Sequence, residues 1–445
     1  MTLLIAFSIL LVGWALWEYR RQMSAADFHV AGRSRGAASV AVSIVASCVG
    51  GSATIGMAGL AWQVGTPAFW WLGSGACGLL VLALFLARKV RRTGVHTMPE
   101  LAERFMGGQA RLLVALVIVV AWVAILAAQF TAMANIIAAL AGIPLSAALL
   151  AGAVLVTAYT ILGGQATVMR SDVVQYAVTM GGLAIALAWV LKASPVVAPL
   201  RLELLNDGFA FDRWTYYMVV LGGSYVVCPM LFGRLLSARN ELAAVRGALF
   251  GVAGLLASAA LIVALGIYAR GVVPADTAPD ALLTAAIASA APAWLGGVLL
   301  LALLSAIVSS ADSCLITAAG VFSNDLLRSR DVRTCRRMAL LLGACALVVA
   351  TWGKGVLGLL LAANDVYVCG VVCPVFVAML ADGKFAVDRR LIVASIVAGG
   401  LLGLAAALSD AKAFSYAGVG VSFALALLSL RRQPFRQNSP AQAAL

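Results

Sequence analysis

The stretch Ser305-Ala306-Ile307-Val308-Ser309-Ser310-Ala311-Asp312-Ser313 lies inside an apolar run, 293–320, long enough to cross a bilayer as one helix. At helical spacing, Ser305, Ser309, Asp312 and Ser313 fall on one face. A carboxylate at the centre of a membrane span costs roughly 2.5–3.5 kcal/mol on insertion scales, so it must face protein, water or an ion. A row of hydroxyl and carboxylate oxygens suits a small hard cation, which takes oxygen ligands. The competing reading is a Ser/Asp face that hydrogen-bonds a neighbouring helix. A lone serine would fit that reading; a stripe this dense favours the cation.

Composition sets the surroundings of this stripe. The chain has 445 residues, 63% hydrophobic and 11% charged, with a mean hydropathy of +1.03. Soluble proteins are about 25% charged, so this is a polytopic, all-α membrane protein. The net charge of +13 does not indicate nucleic acid, because Lys and Arg sit between apolar runs and no basic helix or aromatic–basic surface is present. The eight cysteines form no disulfide framework, and Cys369 and Cys373, with no His or third Cys nearby, read as packing residues rather than metal ligands. The two histidines, His29 and His96, lie in polar loops, which speaks against a histidine proton relay.

Split at polar clusters, the apolar runs predict about thirteen spans: 2–18, 37–62, 66–87, 112–141, 144–162, 172–191, 214–233, 243–269, 293–320, 337–353, 355–380, 391–408 and 413–430. The first run lacks a basic leading segment and is followed by Tyr19-Arg20-Arg21, so it reads as an anchor with its N-terminus outside. That orientation puts all but six of the 31 Lys and Arg on the inside, in loops at 20–35, 88–111, 170, 234–246, 328–337, 384–390 and 431–436. The six outside are Lys192, Arg201, Arg213, Arg270, Lys354 and Lys412. An error of one span would scramble this alternation, so the bias supports both the count and its parity, with the C-terminus inside. The two long outside loops, 192–213 and 270–292, contain no cysteine.

Two spans have middles built to break. The second contains Gly50-Gly51-Ser52, and the seventh contains Gly222-Gly223-Ser224-Tyr225 followed by Cys228-Pro229. Paired glycines and a mid-span proline weaken a helix and free its carbonyls. Unwound segments at matching places of two halves point to inverted repeats with the binding site between them. The expected organisation is an extra N-terminal helix and loop at 1–36, a first repeat at 37–191, an external loop at 192–213, a second repeat at 214–380, two further helices at 381–430 and a cytoplasmic tail at 431–445. The plainer reading of the glycines is close helix packing through small residues.

Several segments resemble the sodium:solute symporter family, which includes the sodium–glucose, sodium–proline and sodium–sialic acid transporters. They are Ala31-Gly32-Arg33-Ser34, Gly50-Gly51-Ser52 through Ile55-Gly56, Gly163-Gly164 with Ser171-Asp172-Val173-Val174-Gln175, Val308-Ser309-Ser310-Ala311-Asp312-Ser313, and Asn324-Asp325. The similarity runs in order from about Val30 to Leu380. It implies a leucine-transporter-type fold: ten core helices as a 5+5 inverted repeat, one extra helix before and two after. It further implies a principal sodium site from the carbonyls of Ala46, Val49 and Ala306 with the hydroxyls of Ser309 and Ser310. Some members bind a second sodium, which here would use Asp172 with Ser309, Asp312 and Ser313. The alternative for Asp172, near the start of its expected span, is a cap on that helix N-terminus. The chain departs from its relatives where the proline transporters carry Asp and this sequence has Cys48, and the amide and acid ligands of the sugar transporters are not found. No solute transfers by resemblance.

Candidate solute contacts are the polar and aromatic residues near the expected breaks: Cys48, Ser52, Trp62, Gln63, Trp70, Gln129, Tyr225 and Asn364. Trp62 and Trp70 also fit an interfacial aromatic belt. Asp365 needs a partner inside its run, either an amino group of the solute or a neighbouring hydroxyl, the latter being favoured. The expectation is a symporter that couples inward sodium movement to import of a small polar solute by alternating access, acting as a monomer in the bacterial inner membrane. The alternatives are a sensor or receptor on a transporter scaffold and a proton-coupled transporter using Asp172 or Asp312. An embedded enzyme is not expected, since no metal-ligand cluster, nucleophile–base set or nucleotide loop appears.

Overall fold

The computed structural model describes residues 2–21, 30–193, 202–274, 276–290, 292–352 and 355–432, so His29 and the tail beyond 432 lie outside the described residues. Helices stand on every expected apolar run. They are α1 (Thr2–Arg21), α2 (Ala37–Cys48), α3 (Ser52–Val64), α4 (Thr66–Thr93), α5 (Met98–Met106), α6 (Gly108–Ala141), α7 (Leu145–Gly163) and α8 (Gln165–Ala193). There follow α9 (211–226), α10 (Pro229–Ser237), α11 (Glu241–Tyr268), α12 (Leu282–Ala290), α13 (Ala293–Val321), α14 (Val332–Ala350), α15 (Val356–Ala381), α16 (Arg389–Ser409) and α17 (Lys412–Leu428). Among the described residues, nine helices are long and apolar enough to cross a membrane, or ten if the bent pair α2–α3 is one span. A short antiparallel pair, β1 (Phe385–Val387) with β2 (Leu430–Arg432), ties the two ends of the α16–α17 hairpin. The expected outside loop at 270–292 is shorter than anticipated, because it folds into α12.

The breaks come from the residues read as breakers. Helix α2 stops at Cys48, Val49 leaves helical geometry (φ −93°, ψ 66°), and α3 departs at 63°. Gly50 is required by close approach: a Cβ there would lie 2.4 Å from Ser310 Oγ and 2.9 Å from Gln129 Oε1. Between α9 and α10, Val227 and Cys228 are extended (φ −131° and −124°), the conformation a residue before proline favours, and Pro229 then starts α10. Each break is accompanied by a wide π-type turn, at Ser52–Gly56 and Tyr217–Gly222, a distortion that frequently marks functional segments.

Helix α13 is the central column. Its membrane-crossing stretch is 94% buried, against 33% for α7 and for α8, so its serine face meets protein rather than lipid. It packs on α2, α6, α7, α8 and α14. At its arginine-rich end, Asp325 accepts from Arg111 Nε (2.7 Å) and Thr97 Oγ1 (3.0 Å), while the Arg111 Nη groups reach Glu103 (2.6 Å) and the Asn324 carbonyl (2.9 Å). This network ties α13 to α5 and α6. The same end is stopped by helix caps, with Thr97, Asn240, Asp331 and Asp388 each accepting from a first-turn N–H.

Glu100, in α5, accepts from the His96 N–H (2.9 Å) and pairs with Arg330 (2.8 Å). Burial opposes ionisation of this carboxyl, but His96 and Arg330 outweigh it and hold its pKa down at about 2. A depressed acid contributes stability above its ordinary value of 4.5, and loses it as pH falls from there toward 2. Thermal unfolding of the parent and of Glu100→Gln should therefore differ at neutral pH and converge across that window; a constant difference down to pH 2 would contradict the pairing.

Candidate cation and solute site

The serine stripe meets the open end of α2. Ser310 Oγ donates to the carbonyls of Ser47 (3.0 Å) and Ala46 (3.4 Å), two acceptors that the end of α2 frees. Ser309 Oγ, fully buried, donates to Asp172 Oδ1 (2.5 Å), and Ser43 of α2 donates to Asp172 Oδ2 (2.5 Å). The carbonyls at the break and the two hydroxyls are the donor set a hard monovalent cation takes. Ala46, Val49, Ala306, Ser309 and Ser310 are all buried, Val49 at the break and the others on the two facing helices.

Around Asp172 the structure corrects two expectations. Helix α8 begins at Gln165, seven residues before Asp172, so this carboxylate does not cap it; it is an interior acceptor with no exposure. Arg234, assigned by sequence to an inside loop, is instead fully buried in α10, which runs four residues beyond the expected end of its span. Its guanidinium donates to Ser43 Oγ (3.2 Å), Ser47 Oγ (2.8 Å) and Ser313 Oγ, and lies 3.5 Å from Asp172 Oδ2. Asp312 accepts from Ser313 Oγ (3.3 Å) through Oδ1, while its Oδ2 has no protein partner among the described residues. The residues expected to hold a second sodium therefore surround an arginine. A buried ion pair needs its remaining hydrogen bonds met; three serines receive Nε and Nη2 of Arg234, while its Nη1 has no protein partner among the described residues. The sequence held one signal for this residue: Arg234 lies five positions after a mid-span proline in a still apolar segment.

Beside these oxygens is a cavity of about 80 Å³, lined where the two broken helices meet α4, α6, α13 and α15. Of the expected solute contacts, Cys48, Ser52, Gln129, Tyr225 and Asn364 line it. Gln129 Oε1 accepts the Gly51 N–H (2.9 Å) at the start of α3, and Tyr225 hydrogen-bonds the Cys48 thiol. Four candidates stand elsewhere. Trp62, Gln63 and Trp70 lie at the arginine-poor end, where the Trp62 carbonyl accepts from Arg270 (2.6 Å), Trp70 Nε1 donates to the Leu204 carbonyl (3.0 Å), and Gln63 is exposed. Asp365 is held by Tyr216 (2.9 and 3.0 Å) and Ser415 (2.7 Å) and does not reach the cavity. Sequence reasoning missed Trp71 and Trp122, both cavity-lining. Trp122, far from either end of its run, is out of place for an interfacial belt.

Two broken helices around a buried column, with carbonyls and hydroxyls converging beside a central cavity, define a secondary transporter scaffold. The sodium:solute symporter family model matches residues 28–377, and the chain belongs to that family. It is similar to the sodium/glucose cotransporter of Vibrio parahaemolyticus (26% identity, 72% of this chain and 67% of the relative). It is also similar to the sodium/pantothenate symporter of Escherichia coli K12 (25%, 78% of each) and to the human high affinity choline transporter 1 (26%, 80% and 68%). In fold it matches a Na+-coupled sialic acid symporter in its substrate-bound outward-open state, at a TM-score of 0.77 with 14% identity over 97% of this chain and 98% of the other. A nucleobase-cation-symport-1 family transporter in a closed conformation matches at 0.64, with 13% identity over 90% and 93%. The protein is an integral membrane protein of a family whose transported species are sodium and a small solute.

Removing Arg234 leaves Asp172 and Asp312 buried without their counter-charge. Arg234→Ala should destabilise the protein by roughly 3–5 kcal/mol, with Arg234→Lys losing less, read as melting temperatures in detergent; an unchanged Arg234→Ala would show that the guanidinium carries no structural weight.

Proposed function

We propose that the chain is a sodium-coupled symporter that imports a small polar organic solute by alternating access. The observation that carries the reading is the 3.0 Å approach of Ser310 Oγ to the freed Ser47 carbonyl, beside a cavity that Ser310 also lines. Sodium, the transported ion, is held by the carbonyls of Ala46, Val49 and Ala306 and the hydroxyls of Ser309 and Ser310. Bound there it ties α2 to α13, favours the outward-facing state and organises the cavity. Release into low internal sodium frees α2 and opens the inside. A membrane potential of 100 mV adds about 2.3 kcal/mol per sodium charge carried.

At the second position, formed by Asp172, Ser309, Asp312 and Ser313, the cation is the Arg234 guanidinium rather than another sodium, which gives one sodium per cycle. The architecture is the leucine-transporter type: thirteen spans with the N-terminus outside, and repeats at 37–191 and 214–380 related by inversion. The broken helices α2–α3 and α9–α10, each the first of its half, support that division. The protein works as a monomer in the bacterial inner membrane. The named relatives are transporters, and no enzymatic step is part of this reading.

In proteoliposomes with an inward sodium gradient, Ser309→Ala and Ser310→Ala should each raise the half-saturating sodium concentration for uptake by at least about tenfold. The parent's sodium dependence should be hyperbolic. Unchanged sodium affinity in both variants would remove the site, and a sigmoidal dependence would restore a second sodium. Uptake that follows pH and ignores sodium would select proton coupling through Asp172 or Asp312, whereas binding without uptake would select a sensor.

A further inference from the structure

The cavity that Ser310 shares with the cation donors has a chemical character of its own. Among its lining residues there is no Asp, Glu, Lys, Arg or His. An ion taken from water into such a site needs a counter-charge, because an unpaired buried charge costs far more than a hydrogen-bonded neutral group. For a cationic solute two of the nearby carboxylates are engaged: Asp172 with Ser43, Ser309 and Arg234, and Asp365 with Tyr216 and Ser415. Asp312 lies in the same cluster as Arg234, away from the lining. Sodium beside Ser310 would repel a second cation.

For an anionic solute the natural receptors in a broken-helix transporter are the helix N-termini at the breaks. Each is already engaged in part from within. The Gly51 N–H at the start of α3 is taken by Gln129 Oε1 (2.9 Å), and the Met230 and Leu231 N–H groups at the start of α10 lie against the Cys228 thiol. Pro229 has no N–H to offer.

What remains is neutral hydrogen bonding with a fixed polarity. Because Gln129 Oε1 faces Gly51, its amide NH2 is the end left for the cavity. Because Asn364 Nδ2 donates to the Leu360 carbonyl (2.9 Å), its Oδ1 is the end left. The Trp122 indole N–H, on a side chain only 3% exposed, has no protein partner among the described residues. We propose that the solute is an uncharged molecule that presents an acceptor, such as a carbonyl oxygen, to Gln129 and Trp122, and an N–H or O–H donor to Asn364. The cavity's volume of about 80 Å³ is roughly half the ~150 Å³ that admits benzene, which favours a solute of few heavy atoms.

This inference rests on the symporter reading for its site but is tested apart from it. The purified full chain is screened by thermal shift, with sodium and with potassium, against small amides, lactams, ureas and polyols. Each is paired with the carboxylate and the amine of the same carbon skeleton. The expected result is that only uncharged members stabilise the protein. Gln129→Leu should weaken the responding solute by at least about tenfold, the loss of one buried hydrogen bond. Asn364→Asp, which keeps the side chain's shape, should move the response to the matching amine. Stabilisation of the parent by a carboxylate or an amine, or a neutral response untouched by both variants, would overturn the proposal. A neutral response equal in sodium and potassium would uphold it while removing the sodium coupling.

Discussion

Inside a bilayer a helix cannot end without something to receive its last carbonyls, and the contact between Ser310 and the end of α2 is the answer this chain gives. Glycine at position 50 leaves no side chain in the way, so α13 approaches until its hydroxyl reaches the Ser47 and Ala46 oxygens. A hydroxyl satisfies a carbonyl in part, since an oxygen with two lone pairs accepts more than one donor, and that residual capacity is what a bare cation uses. The break, the ion donors and the cavity wall thus follow from one geometric requirement. With an unbroken helix the carbonyls would be spent along the helix axis, and the serine face of α13 would have only packing to do.

The cluster around Arg234 extends that junction to further helices. Ser43 and Ser47 belong to α2, Asp172 to α8, Ser309, Asp312 and Ser313 to α13, and Arg234 to α10. Ser309 is the joint: its hydroxyl hydrogen goes to Asp172, which leaves its lone pairs directed elsewhere. In the proposed ion site Asp172 is thereby an outer partner that orients the Ser309 oxygen, and Arg234 sets the charge felt by that partner. Outer partners of this kind typically change metal affinity by 10–100-fold. Movement of α2 away from α13 would disturb the ion donors and the arginine's hydrogen bonds together, so the two sets stand or fall as a unit.

What the sequence discloses and what it hides divide along the range of the signal. The serine stripe, the Gly50-Gly51 break and the Cys228-Pro229 break are local: spacing and backbone restriction act within one turn, and the structure has each of them. Cys48, Ser52, Gln129, Tyr225 and Asn364 line the cavity because they lie beside or opposite those breaks. The sequence points to Trp70 and not to Trp71, yet Trp71 lines the cavity while Trp70 packs on Trp214 at the arginine-poor end. Adjacent residues on a helix point about 100° apart, and which of them faces inward is settled by packing. Arg234 was hidden for the opposite reason: it looks like the first of the basic residues that end a span, and its partners at positions 43, 47, 172 and 313 are distant in sequence. Asp365 found hydroxyls on α9 and α17, which no local pattern announces.

The separation of ion donors from solute donors has a consequence for how such a scaffold diversifies. In the proposed ion site the cation meets backbone oxygens and two serines of α2 and α13, a set that depends on helix geometry more than on side-chain identity. The cavity wall is contributed largely by side chains of α4, α6, α9 and α15. Ser47 and Ser310 belong to both the helix junction and the lining. In the proposed solute site, substitution at Trp71, Trp122 or Asn364 would therefore alter what is recognised while leaving the carbonyls at the break where they are. Relatives named for glucose, pantothenate and choline, at 25–26% identity, are compatible with that division. An ion held by backbone oxygens places no demand on the charge of the solute, which then falls to groups that the ion does not touch.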